Sequence, residues 1–429
     1  MAESLVLSVR RRRTLTRAWL AVQRNGRLSK SAQTRAEIKE FAKDAPVHLE
    51  RIQRQLSKNK FVFKPAKGVK AKKQGKAGFR PLVIAPLESR IVQRAVHDVL
   101  LSVPGIEALV QTPYSFGGVK KSKGNEDELS SVPAAVKAVL DGIGSGGAYV
   151  ARSDISKFFT RIPKAEVRAI IECEINEPAF IALFDRAISA ELSNAKELQR
   201  DAQAFPTEDL GVAQGNSLST LMGNILLKGF DSAMNSLPDI RCIRFIDDFV
   251  ILGPNKAATM KAFQQAKTTL AKWNMTLAED KTEQGSTQQK FEFLGIEFNN
   301  GFLRPTKAAR LRFLASVETL LQESQQALIG YKTTGMIERR SALLKTLVTL
   351  SETVNAWGMS YRFCNDSQCL RQLDESVSHL VGNYFSTYRS VRNALGSNST
   401  WALLGIQSLE GLERASFSWP KQSAKAYGD

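Results

Sequence analysis

Histidine and cysteine are scarce in this 429-residue chain, with three of the first and four of the second. Cys364 and Cys369 are separated by four residues, and no second pair follows to complete a tetrahedral zinc site. Scattered thiols at this density fit a reducing compartment. No apolar run approaches the roughly 18 residues of a membrane span. The cluster Arg10–Arg13 lacks the apolar core that would follow it in a signal peptide. The expectation is a soluble, cytoplasmic protein of two to three domains with no membrane partner. Acid is the other shortage: 42 Asp+Glu stand against 60 Lys+Arg, for a net charge of +18. From Arg51 to Arg80 there are eleven basic residues and no acid at all. Such a chain calls for a polyanionic partner and a salt-sensitive affinity. No internal repeat or low-complexity tract interrupts it.

Against this background two adjacent acids are conspicuous. Phe245-Ile246-Asp247-Asp248 lies between the apolar runs Arg241–Phe245 and Phe249–Leu252, which read as a hairpin with two carboxylates at its tip. Adjacent acids in a half-buried turn repel unless a cation compensates them, and a hard divalent metal with oxygen ligands does so. Upstream, Ala148–Phe159 emerges from the Gly-rich turn Gly142–Gly147 and carries Asp154 at the end of a short strand. Between the acidic sites, Gly211–Ser219 runs into the apolar helix Thr220–Leu227, with Asn224 inside it. Glu279–Thr282 and Phe293–Phe298 follow downstream, and Phe79–Pro86 with Arg90–Gln93 lies near the front.

In this order the segments resemble the box series of reverse transcriptases, over roughly residues 60 to 300. The resemblance implies an α+β right-hand polymerase, with fingers and a palm built on a ferredoxin-like antiparallel sheet. An all-helical thumb and C-terminal extension would follow. The domains expected are a basic helical extension (1–50), fingers (51–135), palm with residual fingers elements (136–300) and helical thumb with extension (301–429). By the same resemblance Asp154, Asp247 and Asp248 are catalytic carboxylates holding two Mg2+ ions (Mn2+ as a substitute), helped by the Ile155 carbonyl. Phe159 is a steric gate under the sugar, and its neighbour Phe158 is core. Arg80 holds the triphosphate of a dNTP, and Gln214 and Gly215 form the floor of the nucleotide site. Lys281 protonates the leaving pyrophosphate. Lys70, Lys72, Lys73 and Lys76 contact nucleic acid, as does the primer-grip turn at Phe293, Leu294 and Gly295.

Several positions depart from the family pattern. Phe245-Ile246 stands where Tyr and a small residue or Met are usual, and Ala213 where Pro is common. Tyr114–Lys120 lacks the Arg-Pro of group II intron enzymes, and no zinc ribbon or His-Asn-His nuclease pattern follows. The likeness is therefore to bacterial retron and defence-associated members. These imply an RNA-directed DNA polymerase copying a dedicated non-coding RNA in antiphage defence, with a partner protein or a homo-oligomer. Alternatives are a retron enzyme making branched RNA-linked DNA, template-independent or protein-primed synthesis, and a catalytically dispensable RNA-binding scaffold. Beyond Phe302 the stripes Leu311/Leu314/Val317/Leu321, Leu343/Leu347/Val354/Trp357 and Leu370/Leu373/Val377/Leu380/Tyr384 predict packed helices. Trp357–Cys364 resembles an aromatic segment of the defence-associated members. Lys332, Arg339, Arg340, Lys345, Arg362, Arg371, Arg389 and Arg392 are candidates for an RNA-binding face.

Overall fold

The computed structural model describes residues 4–29, 31–72, 78–118, 131–189, 191–396, 400–407 and 409. Lys73, Lys76, Val119 and Lys120 lie outside the described residues. The chain divides into two compact units, Met1–Leu294 and Gly295–Asp429. Among the described residues no helix is long and apolar enough to cross a membrane.

The first unit opens with helices α1 (Leu5–Arg10), α2 (Arg12–Arg27), α3 (Ala32–Lys43) and α4 (Ala45–Ser57). Glu177 fixes the start of α1 by accepting hydrogen bonds from Ser4 Oγ and the amides of Leu5 and Val6, which satisfies donors every helix start leaves free. Helix α2 contains no acid and separates cleanly into two faces. Leu15, Ala18, Trp19 and Val22 are buried, while Arg13, Arg17, Arg24 and Arg27 stand exposed at three- to four-residue steps or their multiples. Leu15, Ala18, Trp19 and Val22 of α2 belong to the main hydrophobic core of the first unit.

Strands β1 (Lys67–Lys72) and β2 (Phe79–Ile84) form an antiparallel hairpin. Helices α5 (Leu87–Leu100), α6 (Pro104–Val110) and α7 (Ser131–Gly144) lead to strand β3 (Tyr149–Asp154). Then come α8 (Phe158–Arg161), α9 (Lys164–Glu174), α10 (Pro178–Ile188), α11 (Ala195–Leu198) and the long apolar α12 (Ser217–Asn235). Asn216 caps α12, its side chain accepting from the Leu218 amide at 3.0 Å. Strands β4 (Arg241–Phe245) and β5 (Asp248–Gly253), helix α13 (Lys256–Ala271) and strands β6 (Glu283–Ser286) and β7 (Phe291–Phe293) complete the unit. Four strands make one sheet in the order β4-β5-β3-β6, with β3 antiparallel to both neighbours. Ala151, Phe249 and Ile251 are buried in it, and α12 supplies Leu218, Met222, Leu226 and Phe230 to the same core. An antiparallel sheet with helices packed on it is the α+β architecture that the sequence predicts.

The second unit holds strands β8 (Ile296–Asn299) and β9 (Phe302–Pro305), then helices α14 (Lys307–Thr334), α15 (Leu343–Ser360), α16 (Ser367–Leu395) and α17 (Thr400–Leu404). Phe313, Val317, Leu321 and Leu328 of α14 pack with Leu343, Leu350, Leu373 and Tyr384. Leu311 belongs to the predicted stripe but is 57% exposed, because two residues along a helix turn the side chain about 200° from Phe313. Trp357 stacks on Phe313 with ring centroids 4.4 Å apart.

Candidate active site

Three carboxylates meet at one end of the central sheet. Asp154 closes β3 and stands opposite Asp248, the first residue of β5. Phe245 pairs with Asp248, so the hairpin turn is only Ile246-Asp247. The Ile155 amide donates to the Asp247 carbonyl at 3.0 Å and ties that turn to the end of β3. Ile246 has φ 61°, a left-handed conformation that a β-branched side chain strongly disfavours. Such strain persists only where the surroundings over-determine it.

The Asp247 and Asp248 carboxylates are both half-buried. Desolvation, reinforced by the nearby Asp154 charge, pushes the Asp247 carboxyl up to about 6. Desolvation also pushes Asp248 up to about 7; Arg152 opposes the rise, while Asp154 and Asp247 add to it. Arg152, two residues before Asp154 on β3, donates to Glu283 through Nε and Nη2 at 3.0 and 2.8 Å. Lys281, on the short turn before β6, forms an ion pair with Asp154. The sequence places Lys281 in the site; its partner there is a predicted metal ligand.

The candidate nucleotide residues gather around these acids. Val83 of β2 donates its amide to the Gln214 carbonyl at 3.1 Å, which fixes the Phe79–Ile84 strand against the Gln214-Gly215 turn. Gly215 has φ 113°, and a Cβ there would lie 3.4 Å from the Val83 carbonyl oxygen, so this position favours glycine. Arg80 is exposed on β2, near enough to Asp247 for its charge to lower that carboxyl. Phe158 is buried at 2% exposure, as expected of core, whereas Phe159 is only half-buried beside it. The Phe159 carbonyl accepts from the Val212 amide at 2.7 Å, linking the end of the Asp154 segment to the stretch that carries Gln214 and Gly215.

Arg244, Asp231 and Ser115 are not among the residues that the sequence singles out, and Asn224 is marked there with no role assigned. Arg244 is 1% exposed and lies two residues before Ile246 of the acidic turn. Its Nε and Nη2 donate to the two carboxylate oxygens of Asp231 at 2.7 and 2.6 Å. Nη1 donates to Asn224 Oδ1 at 2.9 Å and to the Ile246 carbonyl at 2.8 Å, and Nη2 donates to Ser115 Oγ at 2.8 Å. All five guanidinium hydrogens are thus used. Asn224 Nδ2 in turn donates to the Gly117 carbonyl at 2.8 Å. The available signal was a second arginine inside the short strand Arg241–Phe245 and a lone acid inside the apolar helix α12.

A family profile described as reverse transcriptase (RNA-dependent DNA polymerase) matches residues 69–298. The chain belongs to the reverse transcriptase family. Similar solved structures include apo telomerase from Candida tropicalis truncated of its C-terminal domain, at 16% identity and TM-score 0.41, covering 57% of this chain and 55% of that one. A partial Cas6-RT-Cas1–Cas2 complex matches at 19% identity and TM-score 0.35, over 63% and 43%. Telomerase from Candida albicans in complex with a TWJ fragment of telomeric RNA matches at 13% and 0.44, over 79% and 66%. This reverse transcriptase therefore spans 55% of the length of the first of these chains. No curated protein matches it in sequence.

The remaining candidates divide by exposure. Lys70 and Lys72 of the reverse transcriptase are exposed on β1, Lys70 paired with Asp201 at 2.7 Å. Phe293 is fully buried, so its ring packs in the core and offers no surface to a ligand. There Leu294 and Gly295 take φ 52° and 78°. Among the described residues no group of three or more His, Cys, Asp or Glu side chains is gathered to hold a metal as it stands. The donor chemistry nevertheless suits a hard divalent cation: two carboxylates are raised by burial and mutual repulsion, and a third is held by an ammonium.

Proposed function

We propose that this reverse transcriptase is an RNA-directed DNA polymerase that copies a dedicated non-coding RNA in bacterial antiphage defence. The observation that carries the polymerase reading is the meeting of Asp154, Asp247 and Asp248 on paired strands, with the Asp247 and Asp248 carboxyls raised. Asp154, Asp247, Asp248 and the Ile155 carbonyl would hold two magnesium ions, or manganese in their place, which activate the attacking 3′-hydroxyl and stabilise the departing pyrophosphate. For this, Lys281 must release Asp154, and its ammonium is then available to protonate the pyrophosphate. Arg80 grips the triphosphate with a planar fork suited to phosphate oxygens. Gln214 and Gly215 let the backbone approach the base pair closely. Phe159 lies beneath the sugar and excludes a ribose 2′-hydroxyl, which makes the product DNA.

The RNA partner is supported by basic surface outside the matched region. The exposed arginines of α2 repeat along one face of a helix that carries no acid. The second unit exposes Lys332, Arg339, Arg340 and Lys345, and on α16 and the turn before it Arg362, Arg371, Arg389 and Arg392. Phosphate contacts of this kind bind without reading sequence. Purification from the native host and sequencing of bound nucleic acid tests the reading. One abundant structured RNA, with complementary DNA made by the wild type and absent with Asp154→Asn, is the expected result. DNA joined to that RNA through a 2′-linkage would identify the retron alternative, and DNA synthesis unaffected by Asp154→Asn would remove the catalytic assignment.

A further inference from the structure

We infer that Arg244 is a positioning residue for catalysis: it sets the acidic turn against the 114–118 segment and helix α12. The inference rests on the polymerase reading. Three chain segments meet on one guanidinium: the 114–118 segment through Ser115, helix α12 through Asn224 and Asp231, and the acidic turn through the Ile246 carbonyl. The backbone repeats the connection, since the Arg244 amide donates to the Tyr114 carbonyl at 2.8 Å and the Phe116 amide to the Arg244 carbonyl at 3.0 Å. Gly117 closes the packing: a Cβ there would lie 2.5 Å from Ile246 Cγ1 and 2.8 Å from the Ile246 amide nitrogen.

A buried ion pair alone is weak grounds for a role beyond packing, because well-packed apolar residues often replace one at no cost in stability. Two features point further here. Ile246 holds a left-handed backbone against the preference of its side chain, and Arg244 donates to the carbonyl of that very residue. The neighbouring residue, Asp247, is the carboxylate whose placement decides the chemistry. Loss of the planar fork would let the turn relax by about an ångström without exposing the core. The Asp247 and Asp248 oxygens would then be misplaced while RNA and dNTP surfaces stay intact. Asn224 and Ser115 fix the guanidinium plane, and Asp231 supplies its counter-charge.

The test uses the full chain with poly(rA)–oligo(dT) and dTTP. Arg244→Lys keeps the charge but loses the planar fork, and kcat should fall by about 10²-fold, the scale of an ångström-level misplacement. KM for dTTP and affinity for the template-primer should stay at wild-type values. Asp231→Asn should show the same split, and combining the two should cost no more kcat than either alone, as for residues that act as a unit. Should Arg244→Lys fold poorly, Arg244→Met with Asp231→Leu removes both charges together and keeps the core apolar; it should melt as a folded protein and remain slow. Hydrogen exchange of the 245–249 amides, read on the same preparations, should speed up in every variant. Unchanged exchange, or wild-type kcat in folded Arg244→Lys, overturns the positioning role. A wild-type protein that makes no DNA refutes the polymerase reading instead, and the exchange measurement still decides whether Arg244 holds the turn.

Discussion

Replacing Asp247 by Asn should make the metal-free protein more stable while abolishing DNA synthesis. The Asp247 carboxyl rises from 3.8 to about 6 on folding, chiefly through desolvation and then through Asp154. Below pH 3.8 it is protonated in both folded and unfolded chains and costs nothing. As pH rises, the unfolded carboxyl ionises first while the folded one holds its proton, so stability falls until the folded group also ionises near 6. Above that, the whole penalty is present: about two pKa units, or ~3 kcal/mol. Asparagine has the same shape and no charge, and it also removes a neighbour that raises Asp248. A gain of ~3 kcal/mol corresponds to a melting temperature higher by roughly 5 °C or more in a unit of this size. Thermal melts in chelator at about pH 4.5 and about pH 8 check this, since about a third of the offset (~1 kcal/mol) should be present at the lower pH and all of it at the higher. Magnesium should then raise the wild type and leave Asp247→Asn nearly unmoved. A variant that melts at or below wild type at the higher pH, or an offset independent of pH, would refute the reasoning.

Phe159→Ala should admit ribonucleotides: competition between dNTP and rNTP should show lower discrimination without an equal loss of dNTP turnover, and an unchanged ratio returns Phe159 to the core. Arg80→Ala should raise the apparent KM for dNTP or lower turnover with little change in RNA affinity, measured by steady-state kinetics and filter binding. Replacing Arg13, Arg17, Arg24 and Arg27 of α2 by Gln should do the reverse, flattening the log–log salt slope of RNA binding by about 3 for four lost phosphate contacts. Gly215→Ala should cost about 1–3 kcal/mol for a side chain at positive φ, with dNTP KM rising; a wild-type melt and KM would show that the floor tolerates a Cβ.

The acids were legible because each sits where an apolar strand pattern stops. Strand periodicity marks Asp154 and Asp248 without any knowledge of pairing, and the order of the boxes supplies the rest. The helical character of the second unit was equally plain, although its first stripe starts on Leu311, two residues from the inward Phe313. Periodicity in a long helix tolerates neighbouring choices. Arg244 stayed hidden for a different reason: a buried guanidinium is defined by partners 13, 20 and 129 residues away. No local pattern carries such distances. The pairing of Lys281 with Asp154 spans 127 residues and was hidden likewise. The N-terminal arginines stand out in the sequence because their charge is local, while the Leu15/Trp19/Val22 face that docks α2 into the core is visible only once the segment is read as a helix.

The bond from Arg244 to Ser115 also bears on how the molecule is made. Synthesis proceeds from the N-terminus, so the 114–118 segment and α12 exist before residue 244 is added. Until then the Asp231 carboxylate has no counter-charge, and burying it against α12's neighbours is unfavourable. Closing a loop of 129 residues adds little to the entropy of closing a shorter one, because that term grows only with the logarithm of length. The late arginine therefore acts as a latch, locking the earlier segments when it arrives. A nascent chain ending before it should hold much of its secondary structure and have no fixed tertiary packing around α12.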